Sequence, residues 1–143
     1  MNTWLVMVNA TKYNLFGAAR KYGDGIPWFF DGTTGAAVDD KVLFYLTSSE
    51  PSEGKGYGED IIGLLYKRVV FEGIITETGA DLSKADIDAE YWDKEHAEEL
   101  KKNCKELVMI KIAKTLYDDN NANRIALSKE KWVENRKTYV VKI

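Results

Sequence analysis

The sequence predicts an α+β domain: a curled β-barrel sheet of about five or six strands, with helices packed around it. Three observations carry that expectation. Apolar or β-rich runs of strand length recur along the chain, at Trp4–Val8, Lys41–Thr47, Leu107–Leu116 and Thr138–Ile143. A long β-rich stretch, Ile61–Thr78, contains Gly63 and Gly73, which mark the bulges or bends that strands closing into a barrel require. Clear helical patterns are confined to the stretch from Asn14 to Gly23 and the charged stretch from Asp81 to Asn103.

Taken in order, Trp4–Val8 is a buried strand that ends at turn-forming Asn9. Asn14 is the expected helix N-cap, because its side-chain carbonyl can accept from a first-turn amide. Leu15, Ala18, Ala19 and Tyr22 then recur at helical spacing, and Gly23 is expected to close the helix in a left-handed conformation. Ile26-Pro27-Trp28 reads as a loop that presents a tryptophan, followed by Phe29, Phe30 and a polar Asp31–Gly35 loop. Lys41–Thr47 reads as a central strand, and Ser48–Gly58 as a long loop. The Ser83–Asp86 spacing matches a capping box, predicting a surface helix packed along the barrel, with some irregularity near its start and with Ile87, Tyr91, Trp92, Ala97 and Leu100 on a thin apolar side. Asp118–Asn123 is a polar turn, Arg124–Leu127 extends a hairpin, and Thr138–Ile143 closes the sheet.

At 143 residues the chain is expected to form one domain, 1–143, large enough to bury a core. Its composition, 45% hydrophobic and 30% charged, is that of a globular protein rather than a disordered one. No run approaches the roughly 20 apolar residues of a membrane span. The first residues lack the basic start of a signal peptide, and the single Cys104 excludes an internal disulfide. Together these predict a cytoplasmic protein without a membrane partner. The net charge of −3 argues against strong non-specific DNA affinity, though not against a small reader with a local basic face.

Catalytic and metal chemistry find little support. A structural zinc takes about four Cys or His ligands, and the chain holds Cys104 and His96 alone. His96 stands among Asp93, Lys94, Glu95, Glu98 and Glu99, so a solvated histidine is favoured over a catalytic base. The Gly54–Gly58 stretch lacks the Gly-Lys-Ser/Thr ending of a phosphate loop. Glu53-Gly54-Lys55 resembles a nuclease triplet but lies in a loop too irregular to place metal ligands. The expectation is therefore a non-enzyme without cofactor or metal. What remains is aromatic and small polar chemistry suited to stacking and reading a nucleobase. Asn9, Trp28, Tyr45, Thr47, Ser48 and Ser49 fall at strand ends and adjoining loops, where barrel mouths form pockets. Composition alone favours plain core roles for Trp28, Phe29 and Tyr45.

The succession WLVMVNA, KYNLFGAARKYG, IPW, VDDKVLFYLTSSEP and GLLYKRVVFEGII resembles an EVE domain of the PUA-like superfamily, related to the YTH readers. The resemblance covers about residues 4–79, with Leu107–Leu116 and Trp132–Ile143 as closing strands. Asp39-Asp40 stands where that family has Gly-Asp, the Phe29–Val38 insert is unusual, and the acidic helix expected over Asp86–Asn103 matches no feature of the family pattern. The resemblance implies a compact curved barrel that binds without catalysis, holding a flipped, modified base of DNA in an aromatic cage. It implies Trp28 as a cage wall, Asn9 as a reader of the base edge, and Ser48 and Ser49 as polar pocket contacts, with Tyr45 and Tyr66 as further pocket residues. Lys55, Lys67 and Arg68 would meet the nucleic-acid backbone, where contacts position without specifying sequence. Such modules often serve a restriction or defence system, with a nuclease or NTPase as partner. RNA recognition and a small enzyme or nucleotide-ligand sensor are the alternatives for the same pocket.

Overall fold

The computed structural model describes residues 1–9, 12–30, 35–46, 68–104, 106–116 and 140–142. Among them the chain is α+β, with one mixed sheet curled into a half-barrel. The strands are β1 (Thr3–Val8), β2 (Ile26–Phe30), β3 (Lys41–Leu46), β4 (Arg68–Ala80), β5 (Glu106–Thr115) and β6 (Val140–Lys142), with helices α1 (Leu15–Tyr22) and α2 (Lys94–Asn103). The sheet order is β2-β5-β4-β3-β1-β6. Among the described strands only β1 and β3 pair in parallel, which requires the intervening crossover through α1 and β2.

The unbroken apolar character of β1 follows from burial on both faces. Trp4, Val6 and Val8 enter the main core with Phe16, Phe44, Ile75 and Ile110. Leu5 and Met7 join Tyr45 and Val69 in a smaller cluster on the opposite face. The bend expected at Gly73 is present: the β4–β5 register shifts between Glu72 and Gly73, and twice more before Ala80. A Cβ at Gly73 would lie 2.7 Å from Ile110 Cγ2 and 2.9 Å from the Lys111 carbonyl oxygen, so close approach of β5 requires the glycine. Gly63 lies outside the described residues, as do the Asp118–Asn123 turn and the Arg124–Leu127 extension.

Asn14 caps α1 as expected, its Oδ1 accepting from the Gly17 amide at 2.9 Å. Gly23 ends the helix differently from expectation, at φ −58° and ψ −19° rather than left-handed. Its need for glycine is proximity, since a Cβ would sit 2.5 Å from the Ala19 carbonyl oxygen. The Ile26-Pro27-Trp28 loop is also corrected: Ile26–Phe30 is a fully buried strand paired antiparallel with β5. Pro27, which has no amide hydrogen, is tolerated there because β2 is an edge strand.

The irregularity expected near the start of the 81–103 helix extends over its whole first half. Leu82–Asp86 and Ala89–Tyr91 are short 3-10 turns, Trp92 is extended, and α2 begins only at Lys94. Asp81, not Ser83, caps the first turn, accepting from the Ser83 amide at 2.8 Å. Asp93 caps α2 through the His96 amide at 3.1 Å. The break lets Trp92 turn inward, where it is buried and bridges Tyr13 as a short antiparallel pair.

Asp40 anchors the start of β3. Its Oδ1 accepts from the Asn2 amide, and its Oδ2 from the Trp4 indole and the Ala37 amide, each at 3.0 Å. Burial pushes this carboxyl upward, but these donors and the nearby amino terminus outweigh it and hold it below the usual range. Asp39 beside it takes φ 75°, a left-handed turn position that aspartate tolerates better than bulky residues.

Candidate functional site

A cavity of about 220 Å³ opens at the end of β1. Its wall is aromatic. Trp28 comes from β2, Tyr13 from the turn before α1, and Trp92 from the extended link before α2. Tyr13 and Trp92 lie 4.3 Å apart between ring centres, Tyr13 and Trp28 5.2 Å, and Trp28 and Trp92 5.4 Å. At those spacings the rings pack on one another, so a ligand would lie against the cluster rather than between its members. Asn9 and Lys12 from the link between β1 and α1, and His96 and Glu99 from α2, add polar groups to the lining.

Backbone hydrogen bonds hold the two sides together. The Asn14 amide donates to the Tyr91 carbonyl and the Asp93 amide to the Lys12 carbonyl, both at 2.8 Å. On the Asn9 side, the Lys12 and Tyr13 amides donate back to the Asn9 carbonyl at 3.0 and 3.1 Å. Behind the wall, the Tyr13 hydroxyl donates to Asp88 Oδ2 at 2.6 Å, in full burial. Asp88 Oδ1 has no hydrogen-bond partner. Burial pushes the Asp88 carboxyl up to about 6, even though the Tyr13 hydroxyl, its own amide and the Trp92 indole favour the charged form. Burial, then the facing Asp88, raises the Tyr13 phenol well above its ordinary value.

His96 stacks on Trp92, with ring centres 5.9 Å apart and planes inclined by 26°. Burial, with the positive charge of Lys12, lowers its pKa; Glu99 and Asp93 oppose this more weakly. At neutral pH the imidazole is therefore uncharged and offers one donor and one acceptor. The expected solvated histidine is corrected to a half-buried pocket residue. One signal was present in the sequence: His96, Glu99 and Leu100 stand three and four residues apart, which places them on one helix face.

Asn9 and Trp28 are brought together in the lining of the cavity. Tyr45 is not: it alternates away from Phe44 and joins the cluster on the other sheet face. Arg68 opens β4 opposite Leu46, and only its backbone is described. Ser48, Ser49, Tyr66, Lys55 and Lys67 lie outside the described residues. Trp28 and Phe29 are also buried in the main core, so the core role favoured by composition and a pocket role coexist in the same side chains. Tyr13, Trp92, His96 and Glu99 were not singled out as pocket residues from the sequence.

Among the described residues no three His, Cys, Asp or Glu side chains gather in a way that would hold a metal ion. No described helix is long and apolar enough to cross a membrane. No family model matches the chain, and no curated protein matches it. Among solved structures, the NMR structure of Rpa0253 from Rhodopseudomonas palustris, a structural genomics target, is similar at 17% identity with a TM-score of 0.43. The similarity covers 81% of this chain and 63% of that one.

Proposed function

We propose that this domain is a non-catalytic nucleic-acid reader whose pocket takes a flipped, modified base of DNA, such as a methylated or hydroxymethylated cytosine or a methyladenine. The observation that carries the proposal is the cavity of about 220 Å³ in which Asn9 and Trp28 meet Tyr13 and Trp92. Extruding a base costs a few kcal/mol of lost stacking and pairing, and an aromatic wall offers about 1–3 kcal/mol per base in return. Asn9, a donor and an acceptor in one side chain, suits the base edge. In this reading the domain is the cytoplasmic specificity module of a restriction or defence system, partnered by a nuclease or NTPase.

Fluorescence-polarisation titrations test the proposal with matched duplexes carrying unmodified cytosine, 5-methyl- or 5-hydroxymethylcytosine, or N6-methyladenine. Selective binding to one modified duplex, weakened by Asn9→Ala, is the expected result. Equal, weak and steeply salt-dependent binding to all of them would mean phosphate contact alone and defeat the proposal. A second reading, a sensor of a free nucleotide-like ligand, is favoured by the acidic Asp93, Glu95, Glu98 and Glu99 at the start of and along α2, which would repel a polyanionic backbone. Binding of a mononucleotide without duplex binding would select it, and binding of single-stranded RNA would select an RNA module.

A further inference from the structure

Asp88–Trp92 is the last link before α2, and it brings one ring of the pocket wall with it. Its backbone is latched to the turn before α1, through the Asn14 amide on the Tyr91 carbonyl and the Asp93 amide on the Lys12 carbonyl. Glu90 accepts from Lys21 Nζ at 2.9 Å and from the Tyr22 hydroxyl at 2.7 Å, but these groups are exposed and such pairs stabilise little. Ala89 and Glu90 are exposed and Tyr91 is half-buried, so the link is anchored by the buried side chains at its two ends, Asp88 and Trp92.

The two anchors differ in kind. Trp92 packs against Tyr13, Trp28 and Phe29 whatever the pH. Asp88 is fully buried, with Oδ2 on the Tyr13 hydroxyl and Oδ1 without a partner. Burial, with Glu90, disfavours its charge; the Tyr13 hydroxyl, its own amide and the Trp92 indole favour it, and burial prevails. An ionised Asp88 therefore gains by reaching water, and the lightly held link is what must move for it to do so.

We propose that Asp88–Trp92 is a proton-sensitive strap: protonated Asp88 keeps it docked with Trp92 in the pocket wall, and ionised Asp88 makes it lift more often from residues 12–14, taking Trp92 with it. The device belongs to the wall itself and holds for any occupant of the pocket.

In the lifted state Asp88 meets water and recovers its ordinary value of 3.8, against about 6 when docked. Lifting thus releases a proton, and the docked form loses favour as pH rises through that window. The neighbouring groups act in the opposite sense. Burial lowers the His96 pKa, and the bonds from Lys21 and Tyr22 lower that of Glu90, so each would loosen the link on acidification. Burial raises the Tyr13 phenol, which stays protonated throughout.

Amide hydrogen exchange on the full chain tests this between about pH 5 and 7.5, corrected for intrinsic rates. The Asn14 and Asp93 amides report the latches, and the Ile75 amide, bonded to the Asp40 carbonyl in the sheet, is the reference. Asn14 and Asp93 are expected to exchange faster than Ile75, through an opening that sub-denaturing urea hardly changes. Their protection is expected to fall about tenfold from the acid to the alkaline end. Asp88→Asn keeps an acceptor for Tyr13 but does not titrate, and is expected to abolish the fall. Exchange of Asn14 and Asp93 with the rate and urea dependence of Ile75 would mean that only whole-chain unfolding exposes them, and would overturn the strap. Wild-type protection that is constant or rises with pH would overturn it whether or not the variant folds, and so would an undiminished fall in Asp88→Asn.

Discussion

Asp88 is a carboxylic acid in the wrong solvent, and its stability effect should have the opposite sign from those of Asp40, Asp81 and Glu90. It is fully buried, with one oxygen bound to Tyr13 and the other without a partner. Burial raises its pKa from 3.8 to about 6, so between those values the folded chain holds a proton that the unfolded chain releases. The contribution is therefore fully present below about pH 3.8 and is lost as pH rises through about 6. At 1.36 kcal/mol per pH unit, the loss comes to about 3 kcal/mol, a large share of the ~5–15 kcal/mol that holds a typical domain together. Urea unfolding of the wild type and Asp88→Asn from pH 3.5 to 8 measures it. Asparagine keeps an acceptor for Tyr13 but does not titrate, and contributions from Asp40, Asp81 and Glu90, which shift downward, cancel in the difference. Relative to Asp88→Asn, the wild type should lose about 3 kcal/mol across the range, with the slope centred between pH 4 and 6. A flat difference would show that Asp88 ionises as an ordinary exposed carboxyl, and one in which the wild type gains with pH would show that its charged form is favoured by folding; either would refute the argument.

Other perturbations follow from the same packing. Gly73→Ala should cost about 1–3 kcal/mol in a denaturant titration, because the new methyl meets Ile110 and the β5 backbone below 3.0 Å. Asp40→Ala strands the Trp4 indole and the Asn2 and Ala37 amides, and should cost about 1–3 kcal/mol for the unsatisfied donors. Because the Asp40 carboxyl lies below its ordinary value, its stabilisation should be present above pH 3.8 and fade on acidification below it; stability of the wild type minus that of Asp40→Asn should show this. Trp28→Ala should cost about 3–5 kcal/mol in thermal or chemical unfolding, because its buried ring is part of the main core.

The sheet was largely legible because its strands carry their own signals. Trp4–Val8 and Lys41–Leu46 are apolar enough to be central, and Gly73 marks the bend. What escaped was decided by partners distant in the chain. Ile26–Phe30 has the proline and flanking glycine of a loop, and only pairing with Val108 and its neighbours makes it an edge strand. The charge pattern of 81–103 satisfies a surface helix, but burying Trp92 against Tyr13 and Trp28 requires an extended residue where the helix would have run. His96 follows from that break: its sequence neighbours are charged, while its spatial neighbours are Trp92 and the pocket. Tyr45 was ambiguous for a different reason, since β3 buries side chains on both faces and alternation does not say which face holds the cavity.

The same packing decides which variants can inform on function. The wall of the cavity is part of the main core: Trp28 also meets Phe44, and Trp92 also meets Phe29. Truncating either ring removes core packing and the pocket surface together, so lost binding would not separate a reader from an unfolded chain. Tyr13 adds a second coupling, because its ring lines the cavity while its hydroxyl holds Asp88 behind it. Functional evidence must therefore come from the lining residues whose side chains the core does not need. Asn9 and Glu99 are exposed, come from different elements, and add hydrogen-bonding groups beside the aromatic wall. If the pocket reads a ring, changes at these two positions should alter binding more than they shift the unfolding midpoint, the reverse of what truncating Trp28 or Trp92 would do.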